Sequence, residues 1–333
     1  MYDLAIIGGG PAGVAAGIYA ARKKIKTILI TDIFGGQSLV SDQIQNWIGT
    51  KNITGLDLTK NLEEHLRAQE GIDIKAGVLV LDIKKGPSLF EDGLPDKRGA
   101  QFVKSEGFTL GLKNGEEIKA KYILITAGSR RKKLEVPGEK EFEGRGVVYC
   151  ATCDAPIFRG KTVAVVGGGN SGLESVIDLL PYATKIYLLS RYGELKGDKI
   201  TQEKIKKSDK VEVIYNAAVQ EIVGKDFVTG LKYKTGDNNH ELELGGVFVE
   251  IGSTPNSGLL KDLVKLNERG EVIVDHKTQK AGEGIWAAGD VTDVLYKQNN
   301  ISVGDAIKAA LNIYDSIHEM ERAASVPGNN YKS

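Results

Sequence analysis

Residues 3–13 read DLAIIGGGPAG, and residues 162–172 read TVAVVGGGNSG. Each stretch is a short apolar, β-prone run followed by G-x-G-x-x-G and then by a helical stretch, residues 14–22 in the first copy and 173–180 in the second. A second apolar run closes each unit, at 25–31 and at 185–190. One constant offset relates the copies, so Gly8, Gly10 and Gly13 correspond to Gly167, Gly169 and Gly172. A lone G-x-G-x-x-G is weak evidence, but here each copy follows a strand and opens a helix, which is the context a βαβ unit requires. The glycines let the backbone turn sharply and approach a pyrophosphate, whose charge sits on the free N–H groups and positive dipole end of the helix.

Two such units predict an α/β chain with two Rossmann-like dinucleotide-binding domains. A Rossmann unit places an acid about twenty residues past the motif to bind a ribose 2′-OH, or an Arg to accept a 2′-phosphate. That position is Asp32 in the first copy and, by the same offset, Arg191 in the second. The first site suits a nucleotide with a free ribose, such as FAD; the second admits NADPH. Gly172 at the third glycine and Tyr192 after Arg191 leave NADH open as the alternative.

The rest of the composition narrows the function. The chain has 333 residues, a prior of about two domains. No apolar run approaches the ~18 residues of a membrane span. Lys and Arg (44) balance Asp and Glu (44), so nothing argues for nucleic acid or an anionic membrane surface. Glycine occurs 41 times, nearly twice its usual share of a globular chain, consistent with many tight turns. The N-terminus, MYDLAIIG, has no basic n-region, so the expected location is the cytoplasm.

Only two cysteines are present, Cys150 and Cys153, in CATCD (150–154), just before the second βαβ unit. Two thiols at this spacing can close a small disulfide ring, and a thiolate within it attacks a partner disulfide. Asp154 follows directly, and a carboxylate beside a dithiol can shuttle the proton that disulfide cleavage needs. A zinc site would need a second C-x-x-C or an H-x-x-x-H, and the four histidines (65, 240, 276, 318) are scattered. Two dinucleotides and one redox disulfide define a route from nicotinamide to flavin to disulfide to an external disulfide.

On these motifs the chain resembles the low-molecular-weight thioredoxin reductase family over essentially its full length. GGGPAG, Gly35-Gly36-Gln37, Thr126-Ala127-Gly128, VPGE (136–139), CATCD, GGGNSG, GSTPN (252–256) and WAAGD (286–290) occur in the family's order. The resemblance implies a discontinuous FAD domain, residues 1–129 and 250–333, with an NAD(P)H domain carrying the C-x-x-C, residues 130–249, inserted into it. It assigns the flavin nucleotide to Gly8, Gly10, Pro11, Ala12, Gly13, Asp32, Thr126, Ala127, Gly128, Gly289 and Asp290. Gly35, Gly36, Gln37 and Asn46 fall on the cofactor side, as do Lys297 and Gln298 of a Y-K-Q where the family has Y-R-Q. The nicotinamide nucleotide falls to Gly167, Gly169, Asn170, Ser171, Gly172, Ser190, Arg191, Lys196 and Gly252. The spacing alone does not distinguish the two cysteines; by resemblance Cys153 faces the flavin, Cys150 attacks the protein substrate, and Asp154 is the acid–base group. The resemblance also implies a homodimer and a domain rotation, with hinge candidates at 129–134 and 245–252.

Departures from the family pattern bear on the substrate. NADPH users in the family show H-R-R and a following Arg after the second strand; here the sequence is Ser190-Arg191-Tyr192 and then Lys196. ELKGD (194–198), VFVEIGSTPN (247–256) and residues 297–315 resemble the reductase core of the NADH-linked alkyl hydroperoxide reductase flavoprotein subunit. That subunit carries an N-terminal thioredoxin-like module that this sequence does not show, so a separate thioredoxin or glutaredoxin-like protein is the expected acceptor. The polar excursion at 84–108 reads as a tolerated surface insertion. Trp47 and Trp286 read as packing and His65 as surface. The C-terminal helix, 304–323, has Ala306, Ile307, Ala310, Leu311, Ile313, Tyr314 and Ile317 at helical spacing, read as core and dimer contact. The tail 325–333 reads as frayed.

Overall fold

The computed structural model describes residues 1–41, 44–88 and 106–324. In chain order the strands and helices are β1 (Tyr2–Gly9), α1 (Pro11–Arg22), β2 (Thr27–Phe34), α2 (Gly55–Arg67), β3 (Ile72–Ala76), β4 (Val80–Ser88), β5 (Glu106–Leu112), β6 (Glu117–Ile125), β7 (Ser129–Arg131) and β8 (Val147–Val148). They continue with α3 (Ala151–Asp154), β9 (Thr162–Val166), α4 (Asn170–Leu179), β10 (Lys185–Leu189), α5 (Lys199–Lys206), β11 (Val211–Ile214), β12 (Ala217–Gly224), β13 (Val228–Thr235) and β14 (Asn238–Glu243). Last come β15 (Val247–Val249), β16 (Ser253–Pro255), β17 (Lys280–Gly282), β18 (Ile285–Ala287) and α6 (Asn299–Ala324).

The chain divides into two compact units: Met1–Leu39, Gly55–Arg130 and Pro255–Ser333 form the first, Val40–Thr54 and Arg131–Thr254 the second. In the first, β3, β2, β1, β6 and β18 run side by side and parallel, flanked by β17 and by the antiparallel β4–β5 hairpin. In the second, β11, β10, β9, β15 and β8 form a five-stranded parallel sheet whose first four strands follow the same order, while β8, which precedes them in the chain, stands at the edge in the place of β18. Thus β15 occupies in the second sheet the place of β6 in the first.

The strands that read as continuous apolar runs are those buried on both faces. Neighbouring residues of β1 enter different cores: Leu4 and Ile6 pack on one face with α1 and α6, Ala5 and Ile7 on the other with β4 and β5. In the second unit Val163 and Val165 of β9 pack against α4, while Ala164 and Val166 pack against the three-stranded sheet β12–β13–β14. The internal repeat is therefore a repeat of layers, with helix on one face of the parallel sheet and antiparallel strands on the other.

Several expectations are corrected. Helices α1 and α4 begin directly after the middle glycine, at Pro11 and Asn170. Pro fits the first helical position, and the small residues of that turn hide the apolar period. Helix α6 begins at Asn299, not at 304, and Leu311 faces out of it, 36% exposed. Val247–Val249 of the span 245–252 is fully buried sheet, and the chain passes into the second unit within β7 and returns to the first within β16, which pairs with β7. The root of the 84–108 excursion is not inert surface, since Ile83 and Phe108 lie in the core; residues 89–105 and the tail 325–333 lie outside the described residues. Trp286 is packed edge-on against Tyr122, whereas Trp47 is half-buried, and His65 is exposed. Among the described residues, no helix is long and apolar enough to cross a membrane.

Candidate nucleotide sites and redox disulfide

The two glycine turns have the same anatomy. A Cβ on Gly8 would lie 2.4 Å from the Thr126 carbonyl oxygen, and one on Gly167 would lie 2.2 Å from that of Glu250. A Cβ on Gly13 would lie 1.9 Å from Gly8 O, and one on Gly172 would lie 1.8 Å from Gly167 O. The first and third glycines are thus pinned by the chain itself. At the middle glycines, Gly10 and Gly169, the same construction meets nothing within 4 Å. These two are the N-caps of α1 and α4, neither has a side-chain cap, and the first turns hold no acid. First-turn N–H groups have no intrahelical partner, so each turn presents an open, positively polarised cradle that fits a pyrophosphate.

In the first unit other segments converge on that cradle. Gly35 and Gly36 take φ of +85° and +55°, and a Cβ on Gly36 would lie 3.7 Å from Gly10 Cα. Gly289, at φ +77°, comes up to Ala12, and Asp290 accepts a hydrogen bond from Ser302. Thr126 donates to the carbonyls of Ile7 and Gly8, and Asn256 Nδ2 donates to Ala127 O while its N–H binds Gly128 O. Gln37 donates to Ser129 O. Asp32 is exposed near the end of β2. Lys297 is bonded to Glu271 at 3.0 Å and to Thr292 O, and Gln298 O accepts from Ser302 N.

In the second unit, Arg191 lies just past β10 and is exposed. Ser190 is fully buried; its hydroxyl donates to Glu194 O and accepts from Tyr192 N, shaping the loop. Lys196 places its ammonium 3.9 Å from the Tyr192 ring centroid, and its N–H binds Gly168 O. Asn170 Oδ1 accepts from Asp198 N, while Ser171 is exposed at the head of α4. Gly252, at φ +98°, accepts from Lys132 N.

Cys150 and Cys153 are disulfide-bonded across α3, with Cα atoms 5.4 Å apart. Asp154 N donates to Cys150 O, closing the turn, and Thr152 Oγ1 donates to Asp178 at 2.8 Å. Asn46, expected on the cofactor side, has its amide 3.8 Å from Cys153 Sγ. Beneath this turn lies a residue to which the sequence motifs give no role. Glu250 is 7% exposed and accepts a hydrogen bond from Ser175 Oγ at 2.9 Å, and the Ala151 N–H favours its ionised form. Burial pushes its carboxyl up to about 7, against the opposing pull of Arg131 and those two donors. The one signal in the sequence is a charge inside the apolar run VFVEIG, at the place where the first unit has Thr126.

Comparison with known proteins gives this arrangement its context. Residues 2–314 match the pyridine nucleotide-disulphide oxidoreductase family model. The thioredoxin reductase structure from Streptococcus pyogenes superposes with a TM-score of 0.84 at 30% identity, covering 96% of this chain and 99% of that one. That from Giardia duodenalis gives 0.83 at 28%, covering 95% and 99%. The F subunit of alkyl hydroperoxide reductase from Pseudomonas putida is 42% identical over 322 residues, 95% of this chain and 58% of that protein. Its counterpart from Staphylococcus aureus is 40% identical over 319 residues, 95% and 59%. The chain thus spans about three-fifths of the length of these relatives. With two open glycine cradles of one design and a disulfide built into the turn before the second, the chain belongs to the pyridine nucleotide-disulphide oxidoreductase family, flavoproteins that pair FAD with a nicotinamide cofactor.

Proposed function

We propose that the chain is a dithiol-protein reductase, using NAD(P)H and FAD to reduce Cys150–Cys153 and passing the electron pair to a thioredoxin-like protein. The observation that carries this reading is the disulfide turn built into the same unit as the second open glycine cradle. Bound FAD supplies the conversion between hydride transfer and thiol chemistry. The first unit would hold FAD through its cradle, Asp32 and the segments around Gly36, Gly128, Asp290 and Gln298. The second would hold the nicotinamide nucleotide, with Arg191 facing a 2′-phosphate and Lys196 beside it. Cys150 is the sulfur that attacks the acceptor disulfide, Cys153 is its partner, and Asp154 holds the proton that leaves or enters the pair.

A second reading is supported by the higher identity, 42%, to the F subunit of alkyl hydroperoxide reductase, and by Tyr192 standing where a second base would strengthen NADPH binding. In it, NADH is the donor and a separate glutaredoxin- or thioredoxin-like carrier feeds a peroxidase. Anaerobic mixing with NADPH and with NADH, followed by oxidised thioredoxin, separates the two. Rapid flavin bleaching by NADPH that thioredoxin reverses supports the first; bleaching by NADH alone, unreversed by thioredoxin, supports the second; bleaching by neither sinks both. The homodimer implied by the family resemblance is tested by sedimentation at micromolar concentration.

A further inference from the structure

We propose that Glu250 is a positioning residue of the redox turn, its carboxylate setting how much thiolate the Cys150–Cys153 pair forms when reduced. The inference rests on the reading of that disulfide as redox-active.

The repeat shows that the fold does not require an acid here. Ile7 pairs with Ile125 in the first sheet and Val166 with Val249 in the second, so Thr126 and Glu250 are the same position of the two units. Each carbonyl packs against the first glycine of its cradle. In the first unit a threonine hydroxyl satisfies the position by donating to the carbonyls of Ile7 and Gly8. In the second, the side chain turns to Ser175 of α4, three residues before the Asp178 that binds Thr152 of the redox turn, and the N–H of Ala151, between Cys150 and Thr152, favours its ionised form. The charged groups that face it are Arg131 from β7 and Asp178 from α4, the latter already engaged by Thr152. A carboxyl so buried keeps its proton into the neutral range.

Reduction breaks the Sγ–Sγ bond on uptake of two electrons from a reductant, flavin in the enzyme or a small dithiol in the test tube. With one solvent proton the product is a thiol and a thiolate; with two it is a dithiol. An ionised Glu250 beside the turn opposes a second negative charge and favours the dithiol. A neutral one removes that opposition and leaves the thiolate, the attacking species. The pair's reactivity is thus coupled to the Glu250 proton.

The chain's only two cysteines make the readout unambiguous. The protein is reduced with dithiothreitol, desalted anaerobically and alkylated with iodoacetamide from pH 5 to 9, read by intact mass. Wild type and Glu250→Gln are expected to coincide below pH 6, where both are neutral, and to diverge above pH 7. There the variant alkylates about tenfold faster, the equivalent of one pKa unit of coupling. Ser175→Ala removes a bond that favours the ionised carboxyl, so the pH above which alkylation is held back moves upward from its wild-type place; this departure is read against wild type alone and carries the test should Glu250→Gln fail to fold. Superimposed profiles, a uniform offset at every pH, or an unmoved departure in Ser175→Ala overturn the proposal. Failure of dithiothreitol to open the disulfide overturns the redox reading together with it.

Discussion

Changing the second or the third glycine of one motif to alanine is expected to injure different properties. At Gly172 a new Cβ falls 1.8 Å from Gly167 O. Helix α4 must then retreat from β9 by about 1.5 Å to restore a C···O contact of ~3.3 Å. Overpacking against backbone cannot be relieved by a rotamer change, so the cost is about 3 kcal/mol, or a fall in Tm of roughly 6–12 °C for a unit of this size. At Gly169 the backbone is extended (φ −92°, ψ −175°), alanine can adopt it, and nothing lies within 4 Å. Replacing an N-cap glycine by alanine costs under about 1 kcal/mol, yet the methyl stands where the pyrophosphate must approach. Gly169→Ala is therefore expected to keep wild-type Tm within a few degrees and to lose at least about tenfold in nicotinamide-nucleotide affinity, about 1.4 kcal/mol. Differential scanning calorimetry and a fluorescence titration with NADPH and NADH read the two effects. Wild-type affinity in Gly169→Ala, or wild-type Tm in Gly172→Ala, refutes the division of labour among the glycines.

Other expectations are more briefly put. Arg191→Ala is expected to raise Kd for NADPH and leave NADH unchanged; equal losses in a binding titration would show that the guanidinium does not meet the 2′-phosphate. Cys150→Ser is expected to retain flavin bleaching by the nicotinamide donor and to lose turnover with a protein disulfide, measured by insulin reduction with added thioredoxin; retained turnover contradicts its role. Glu139 is buried and accepts the N–H groups of Leu134 and Glu135 and the Tyr149 hydroxyl. Stranding those donors in Glu139→Ala should cost about 2 kcal/mol in a urea titration. Burial lifts Glu250 from 4.5 to about 7, so the native state holds a proton that the unfolded chain releases. That stability is present below about pH 4.5 and is lost as pH rises to about 7. Glu250→Gln removes the loss, so its Tm relative to wild type should rise between pH 5 and pH 8, and a constant difference would count against the buried titration.

What was legible in the sequence was local. The glycine spacing places a turn between strand and helix whatever the rest of the chain does, and the C-x-x-C allows its disulfide within a single turn. Asp32 and Arg191 stand at matching places of the two units because Ile30 and Leu189 hold the same register against β1 and β9. Glu250 escaped for the opposite reason. Its partner Ser175 is 75 residues away, and its relation to Thr126 depends on β15 standing where β6 stands, which no short pattern encodes. The core at the root of the excursion was hidden because Ile83 and Phe108 are flanked by charges and glycines.

The pairing of β7 with β16 also bears on the order of folding. A chain interrupted by an insertion must bring together two ends separated by roughly 120 residues, a loop-closure penalty of about 4 kcal/mol. If the inserted segment folds first, its two ends already lie on adjacent hydrogen-bonded strands, and the host closes its sheet over a gap of a few residues. Weakening the inserted unit should then slow acquisition of the host's structure even though the host's own residues are untouched. During synthesis, β17, β18 and α6, which follow the insertion in the chain, would complete a host whose missing segment has already become a clamp.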